Sequence, residues 1–548
     1  MTTRPWSSTY PPALPAVIDP QFGSMLDVFR STVATGPDNI AIAYFDGTIS
    51  FRELDIRSDA LALALVEGGF APGDRLAIYT QNNPAFVVGL IAAWKAGGIA
   101  VLINPMNKAR EVTYLLTDSG ATALLSLDDL YATVAREVVN SGQTAVTQVV
   151  VTSSRDDQTR GDPRVLRVGD PVDIAGAQRL TDLIERFRGQ KPTAVLSDGP
   201  AQPAVLTYTS GTTGVPKGAV NTHGGLAFNS QTYRDWMGLD GEDVILGIAP
   251  LFHITGLVGH VCLSLLLGAE LVLLHRFDGA VVVDAIREHR PTFTVGAITA
   301  LSNLASVAGA SKDDFSSLRV VYSGGAPVSP EMHADLLYKT GMNVHNIYGM
   351  TETTSPTHAV PLGVPAPVDP DTGALSVGVP VFNTGARVVD DNGVTVPAGQ
   401  IGEIVVSGPQ VIPGYWNKPE QTAEKLIGGE LRTGDVGLMD SAGWFYLVDR
   451  KTDMIIASGY KVWPREVEGV LCSHPDVYEA AVIGVEDAYR GETVKAFVSL
   501  NPGATTSAED LIAFSKEHLA AYKYPRIVDI IETLPKNPAG KILRRELR

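Results

Sequence analysis

Short apolar runs alternate with stretches of helical periodicity through most of the chain. After a proline-rich arm, residues 25–33 repeat apolar positions at helical spacing and predict an amphipathic helix. Residues 75–79 (RLAIY) read as a strand, 84–96 as a helix whose small residues pack on a sheet, 99–103 as a strand and 109–118 as a helix. This alternation predicts a parallel sheet covered on both faces. A second such series runs over 204–348, with strands near 205–208, 271–274, 293–295 and 320–323. The polar stretch 150–200 reads as a surface excursion. From about residue 373 the text changes to short strands and turns (386–389, 391–393, 402–406), the pattern of a small antiparallel barrel. Beyond the charged run 448–453, a helix at 464–471, strands at 477–485 and 495–500 and a helix at 508–518 predict a compact α+β unit. The expected fold is α/β. It has a large N-terminal domain (1–450) of two doubly wound sheets plus a small β-barrel, a connection at 451–453, and a small α+β C-terminal domain (454–548).

Composition agrees with this size. A chain of 548 residues is too long for one hydrophobic core. With 45% hydrophobic and 19% charged residues it is ordinary globular text, not a disordered chain. The net charge of -17 repels nucleic acid, so an anionic ligand must be held by local positive groups against the global field. The two cysteines, Cys262 and Cys472, are far apart and exclude a disulfide framework or zinc spacing. Cys262 lies in the apolar run 261–267 and reads as core. No apolar h-region follows the N-terminus, and no apolar stretch approaches a membrane span. A cytoplasmic protein without nucleic-acid or integral membrane contact is expected; a homodimer is left open.

The strongest chemical signal is YTSGTTGVPKG, 208–218, after a predicted strand. Its three glycines let backbone approach a ligand without a Cβ clash. The hydroxyls of Thr209, Ser210, Thr212 and Thr213 can donate to phosphate oxygens, and Lys217 adds a mobile positive charge. The spacing is not that of a Walker A loop, because Gly218 follows the lysine where Ser or Thr would stand. Glu352 is a hard carboxylate in a turn after Thr351, suited to Mg²⁺, although such a residue is otherwise most often a solvated group. Tyr348 can stack on an adenine ring, and Asn346 can reach a base edge. SGGAP, 323–327, ends a strand with Gly324 and Gly325, so backbone can pass close to a flat base. Asp435 offers one bidentate acceptor to a ribose diol. His253, between Phe252 and Ile254, reads as a pocket wall. It is no general base, since a carboxylic acid is already ionised near pH 7. Lys541 follows a Pro-Ala-Gly turn that would aim it.

These segments resemble, in order and spacing over most of the chain, the signatures of the adenylate-forming superfamily: acyl-CoA synthetases, luciferase-like enzymes and peptide-synthetase adenylation domains. YGMTE (348–352), RTGD (432–435), VDRKTDMI (448–455) and PKNPAGKILRREL (535–547) look like its second signature, ribose, hinge and C-terminal lysine motifs. The resemblance implies a nucleotide site of Ser210, Gly211, Thr212, Thr213, Gly214, Lys217, Gly324, Gly325, Ala326, Pro327, Asn346, Tyr348, Gly349, Met350, Thr351, Asp435 and Arg450. Magnesium falls to Thr209 and Glu352, and the reaction to Lys541, Glu352, His253 and Thr209. The implied reaction joins a carboxylate to the α-phosphate of ATP, releases pyrophosphate, and then passes the acyl group to coenzyme A with loss of AMP. The family swings its small domain between the two halves. The hinge position here is Thr452, where relatives usually carry Asp or Lys. After rotation, Ser458, Gly459, Tyr460 and Lys461 would meet coenzyme A.

The acid is less legible. The expected acyl-site segments contribute His253, Val295, Gly296, Ile298, Gly324, Gly349 and Met350, with no charged residue for an amino acid or a dicarboxylate. Glycines 296, 324 and 325 are read as leaving room. Each buried methylene is worth about 0.8 kcal/mol, so an apolar tunnel would select long chains. The text looks most like bacterial medium- or long-chain fatty acyl-CoA ligases. An aryl acid, a stand-alone enzyme loading a carrier protein, a luciferase-like oxygenase and a degenerate nucleotide-binding regulator are the alternatives.

Overall fold

The computed structural model describes residues 4–12, 14–167, 172–193, 199–209, 215–325, 328–450, 453–457, 460–487, 491–536 and 542–547. The first sheet has seven strands in the order Gln178–Arg179, Gln148–Thr152, Ala123–Leu127, Arg75–Tyr79, Ile99–Leu102, Pro203–Thr209 and Lys217–Thr222. All pairs are parallel except the last. Its apolar runs are buried on both faces. Leu76 and Ile78 join the core with Leu90 and Ile91 of helix Pro84–Lys95, whereas Ala77 and Tyr79 face Val112 and Leu116 of helix Ala109–Ser119. The first of these helices is started by Asn83, which accepts from Phe86 N, with Pro84 in the first turn.

The second sheet has nine strands: Val379–Pro380, Ser355–Ala359, Val344–Met350, Val320–Ser323, Phe293–Gly296, Val244–Leu246, Glu270–Leu273, Ile40–Tyr44 and Gly47–Ser50. The six central ones pair in parallel. Strand Ile40–Tyr44 therefore belongs to this sheet, with Ile42 opposite Leu271, although it precedes the whole of the first. An apolar run carries no mark of which sheet receives it.

Five antiparallel strands follow: Gly385–Val389, Gly402–Ser407, Glu430–Met439 and Leu426–Ile427, with Phe445–Arg450 on Glu430–Met439. The last sheet, from Ile455–Ala457 to Ile527–Ile530, packs with helices Pro464–Cys472 and Ala508–His518. It has a core of its own around Val467, Leu471, Val482, Val498 and Leu511.

One expectation is corrected. The stretch 150–200 is not merely an excursion. It supplies an edge strand and helix Leu180–Phe187, which buries Leu180, Leu183, Ile184 and Phe187. Within the charged run, Asp449 is buried and accepts from Arg465 N at 2.8 Å. Arg544 is paired with Glu468 at 2.7 Å and Asp453 at 3.1 Å. Cys262 is buried, as its apolar neighbours imply. Among the described residues no helix is long and apolar enough to cross a membrane.

Candidate active site

Gly296, Gly324, Asn346, Tyr348 and Gly349 lie at the carboxyl ends of neighbouring parallel strands of the second sheet, the edge where open α/β sheets take ligands. Gly296 ends strand Phe293–Gly296 and lies opposite Ser323, which lies opposite Asn346. Gly325 has φ +81°, the left-handed region, and a Cβ there would meet open space. Asn346 and Tyr348 share a face of strand Val344–Met350. Asn346 is buried, and its amide donates to Ser376 O at 2.9 Å. Tyr348 donates from Oη to Asp435 Oδ2 at 2.8 Å, bringing together residues 87 apart in sequence. Asp435 stands opposite Arg450 in the antiparallel ladder. The bulge in strand Glu430–Met439 just before it needs Gly434, with φ +75°.

Glu352 sits in the tight turn Thr351–Thr353. Thr354 and Ser355 follow at φ +51° and +86°, backbone that costs a non-glycine residue about 1–3 kcal/mol each. Buried amides hold the turn there. Asn229 Nδ2 donates to Thr354 O at 2.6 Å and Thr353 O at 3.1 Å, and Asn221 Nδ2 to Thr351 O at 3.0 Å. Gly349 is forced by crowding, since a Cβ would fall 1.9 Å from Ser355 O.

The phosphate-loop motif spans two antiparallel strands, Pro203–Thr209 and Lys217–Thr222, with Thr209 opposite Lys217. Tyr208 Oη donates to Asp118 Oδ2 at 2.9 Å, and Lys418 Nζ is 2.6 Å from the same carboxylate. Gly218 packs under the Tyr208 ring, which a Cβ would approach to 3.2 Å. Ser210, Gly211, Thr212, Thr213 and Gly214 lie outside the described residues, as do Ala326, Pro327, Thr452, Ser458, Gly459, Lys541 and the side chains of Arg450, Tyr460 and Lys461.

Sequence reasoning missed Tyr415. Its Oη donates to Glu352 Oε1 at 2.7 Å, and Lys217 Nζ stands 5.4 Å from its ring centroid. Burial and the Glu352 charge hold the phenol far above its ordinary pKa, so it stays protonated and donating. The aromatic pair in PGYWNKP, residues 413–419, was the only available signal.

Glu352 fits a hard cation. It is buried, and among the described residues no side chain donates to Oε2. No group of three or more His, Cys, Asp or Glu gathers among the described residues. Magnesium needs none, since it commonly takes one or two protein oxygens with waters and phosphates.

The acyl wall is apolar but closer-packed than expected. Val295 and Ile298 are buried in the main core. A Cβ at Gly296 would lie 2.8 Å from Ile248 Cδ1, and one at Gly324 2.9 Å from Ile347 Cγ2. Those two glycines accommodate isoleucines, so only Gly325 leaves room. His253 is half-buried and caps the turn Ile254–Gly256, accepting from Thr255 N at 3.4 Å. His260, which sequence did not single out, is fully buried nearby. Burial pushes its pKa down to about 4, so it is neutral near pH 7.

Lys217, Tyr415 and the buried Glu352 thus stand together, and Tyr348 pairs with Asp435. The pattern of the AMP-binding enzyme matches residues 29–416, and that of the AMP-binding enzyme C-terminal domain matches 466–541. The chain is 36% identical to the long-chain-fatty-acid–CoA ligase of Bacillus subtilis, over 99% of this chain and 97% of that one. It is also 36% identical to a feruloyl-CoA synthase of Amycolatopsis, over 93% and 96%. The ATP-bound structure of MatB from Rhodopseudomonas palustris matches with a TM-score of 0.84 and 30% identity, over 95% of this chain and 98% of that one. The chain belongs to the AMP-binding enzyme family. It acts as an ATP-dependent acid–CoA ligase, with a carboxylic acid, ATP and coenzyme A as substrates, and magnesium is typical of its family.

Proposed function

We propose that the acid is a medium- or long-chain fatty acid, and that the reaction runs through acyl-AMP to acyl-CoA. The observation that carries this is the likeness along 99% of the chain to a long-chain-fatty-acid–CoA ligase. The apolar wall around Val295 and Ile298 supports it. An aryl acid is the second reading. The feruloyl-CoA synthase likeness favours it, and so do Ile248 and Ile347, which narrow the space beside Gly296 and Gly324. Pyrophosphate release over straight-chain, branched and aryl acids with coenzyme A present tests the choice. Turnover of ferulate-like acids with none of fatty acids would overturn the first reading.

In this proposal the loop from Thr209 to Lys217 holds the β- and γ-phosphates, Tyr348 stacks on adenine beside Asn346, and Asp435 and Arg450 take the ribose. Thr209 and Glu352 would hold magnesium, which supplies charge neutralisation at the phosphates. His253 lines the junction of acyl and nucleotide sites. Lys541 bridges the substrate carboxylate to the α-phosphate, and catalysis is positioning plus charge stabilisation. Coenzyme A then displaces AMP after residues 454–548 turn about 451–453, bringing 458–461 to the site. Lys541→Ala should abolish adenylation yet keep thioester formation from supplied acyl-AMP; equal loss of both refutes the two-stage scheme.

A further inference from the structure

The segment between strand Gly402–Ser407 and helix Pro419–Lys425 touches three parts of the site that are distant in sequence. Ile412 N donates to Glu352 O at 3.0 Å. Val220 N donates to Gly414 O at 3.1 Å, and Trp416 N to Gly218 O at 2.8 Å, so the segment adds itself to the strand leaving the phosphate loop. Ala219 and Tyr415 form a bridge in the same register. Lys418 reaches Asp118, which also accepts from Tyr208 at the loop's other stem. Tyr415 N donates to Thr422 Oγ1 at 2.9 Å, which fixes the backbone from which its side chain projects.

We infer that Tyr415 is a positioning residue for the metal and the pyrophosphate: its hydroxyl orients Glu352, and its ring orients Lys217. The inference rests on the proposed metal role of Glu352. A buried carboxylate with no fixed donor rotates about its last bond and offers either oxygen. The phenol occupies Oε1 at 2.7 Å and so leaves Oε2 as the oxygen that would meet a metal. Such outer partners of a ligating carboxylate typically matter by about 10–100-fold in metal affinity. Lys217 lies 5.4 Å from the same ring, within cation–π range. One side chain thus sets the relative placement of the anionic and cationic groups that would flank the polyphosphate. Without it one hangs on an edge strand of the first sheet and the other on a turn that follows a strand of the second.

The test uses the full-length enzyme without acid. Mn²⁺ binding in the presence of ATP is followed by electron paramagnetic resonance, and AMP and pyrophosphate binding by calorimetry. Tyr415→Phe keeps the ring and removes the hydroxyl. It should weaken Mn²⁺ about 10–100-fold while AMP affinity stays within about twofold. Tyr415→Leu removes the ring as well and should also weaken metal-free pyrophosphate binding, which Tyr415→Phe spares. Glu352→Gln separates the two readings. If it weakens Mn²⁺ while Tyr415→Phe does not, the Tyr415 inference falls and the Glu352 reading stands. If neither variant changes Mn²⁺, both fall. Equal losses of AMP and Mn²⁺ in Tyr415→Phe would mean general loosening, and would also overturn the inference.

Discussion

Tyr348→Phe isolates one oxygen at the nucleotide site. Tyr348 Oη and Asp435 Oδ2 are 2.8 Å apart, and both side chains are buried. The variant keeps the ring, which packs on His358 with centroids 5.5 Å apart. A hydrogen bond to a charged acceptor contributes about 1.5–3 kcal/mol. At about 1.4 kcal/mol per tenfold, that is about 10–150-fold in affinity. The lower end is expected, because a ribose hydroxyl donating to Asp435 replaces part of what the phenol supplied. Calorimetry should therefore find AMP bound about tenfold more weakly. A second comparison makes the argument specific. Phenol and ribose address the same carboxylate, so their losses should not add. The penalty for removing a ribose hydroxyl should differ between wild type and variant by more than about twofold. Unchanged AMP affinity refutes the positioning of Asp435 by Tyr348. Strictly additive losses refute the assignment of Asp435 to the ribose.

Asn229→Ala removes the donor to Thr353 O and Thr354 O, leaving buried carbonyls at about 1–3 kcal/mol each beside two left-handed residues. ATP–pyrophosphate exchange should fall more than about tenfold and the thermal midpoint should drop; wild-type exchange would show the Glu352 turn does not need this brace. Four buried histidines, His223, His260, His275 and His358, have pKa values pushed by burial down to about 4, 4, 4 and 3. Their folded values lie below the unfolded one, so unfolding takes up protons. Stability should then fall as pH drops from about 6.5 toward 4, by up to about 1.4 kcal/mol per pH unit for each group. His358→Gln should flatten the acid side of the thermal-midpoint profile, and an unaltered profile would count against the neutral buried imidazole. Lys95 Nζ lies 2.6 Å from both Asp55 and Asp59, and Lys95→Met strands those carboxylates in partly buried surroundings. Lys191 also reaches both, so the cost should sit near the lower end of about 3–5 kcal/mol, seen as a lower thermal midpoint with unchanged AMP affinity. An unaltered midpoint would show that the cluster contributes nothing net.

What was legible in the sequence divides by the range of the interaction. Strand Val320–Ser323 and helix Ala508–His518 fall where periodicity places them, because each is decided by neighbours two to four positions away. The motif at 208–218 and the Glu352 turn stand out in the sequence for a related reason. Their chemistry lies in consecutive residues, and glycines mark where backbone must come close. Gly349 meets Ser355 O across a turn of a few residues. The parts that hold these motifs still were not legible. Asn229 acts 125 residues ahead of Thr354, Asn221 130 ahead of Thr351, and Tyr415 63 beyond Glu352. An asparagine inside helix His223–Met237 reads as an indifferent polar residue until the fold lays it beneath a strained turn. The same limit explains the glycines of the acyl wall. A glycine in sequence reports only that something comes close, and at 296 and 324 that something is an isoleucine of the neighbouring chain segment. Local pattern therefore marks the groups that are candidates to react, and only the fold reveals what braces them. That is why the groups predicted from structure, Tyr415 and Asn229, act through Glu352 and its turn, whereas those read from sequence are the ones expected to touch the nucleotide.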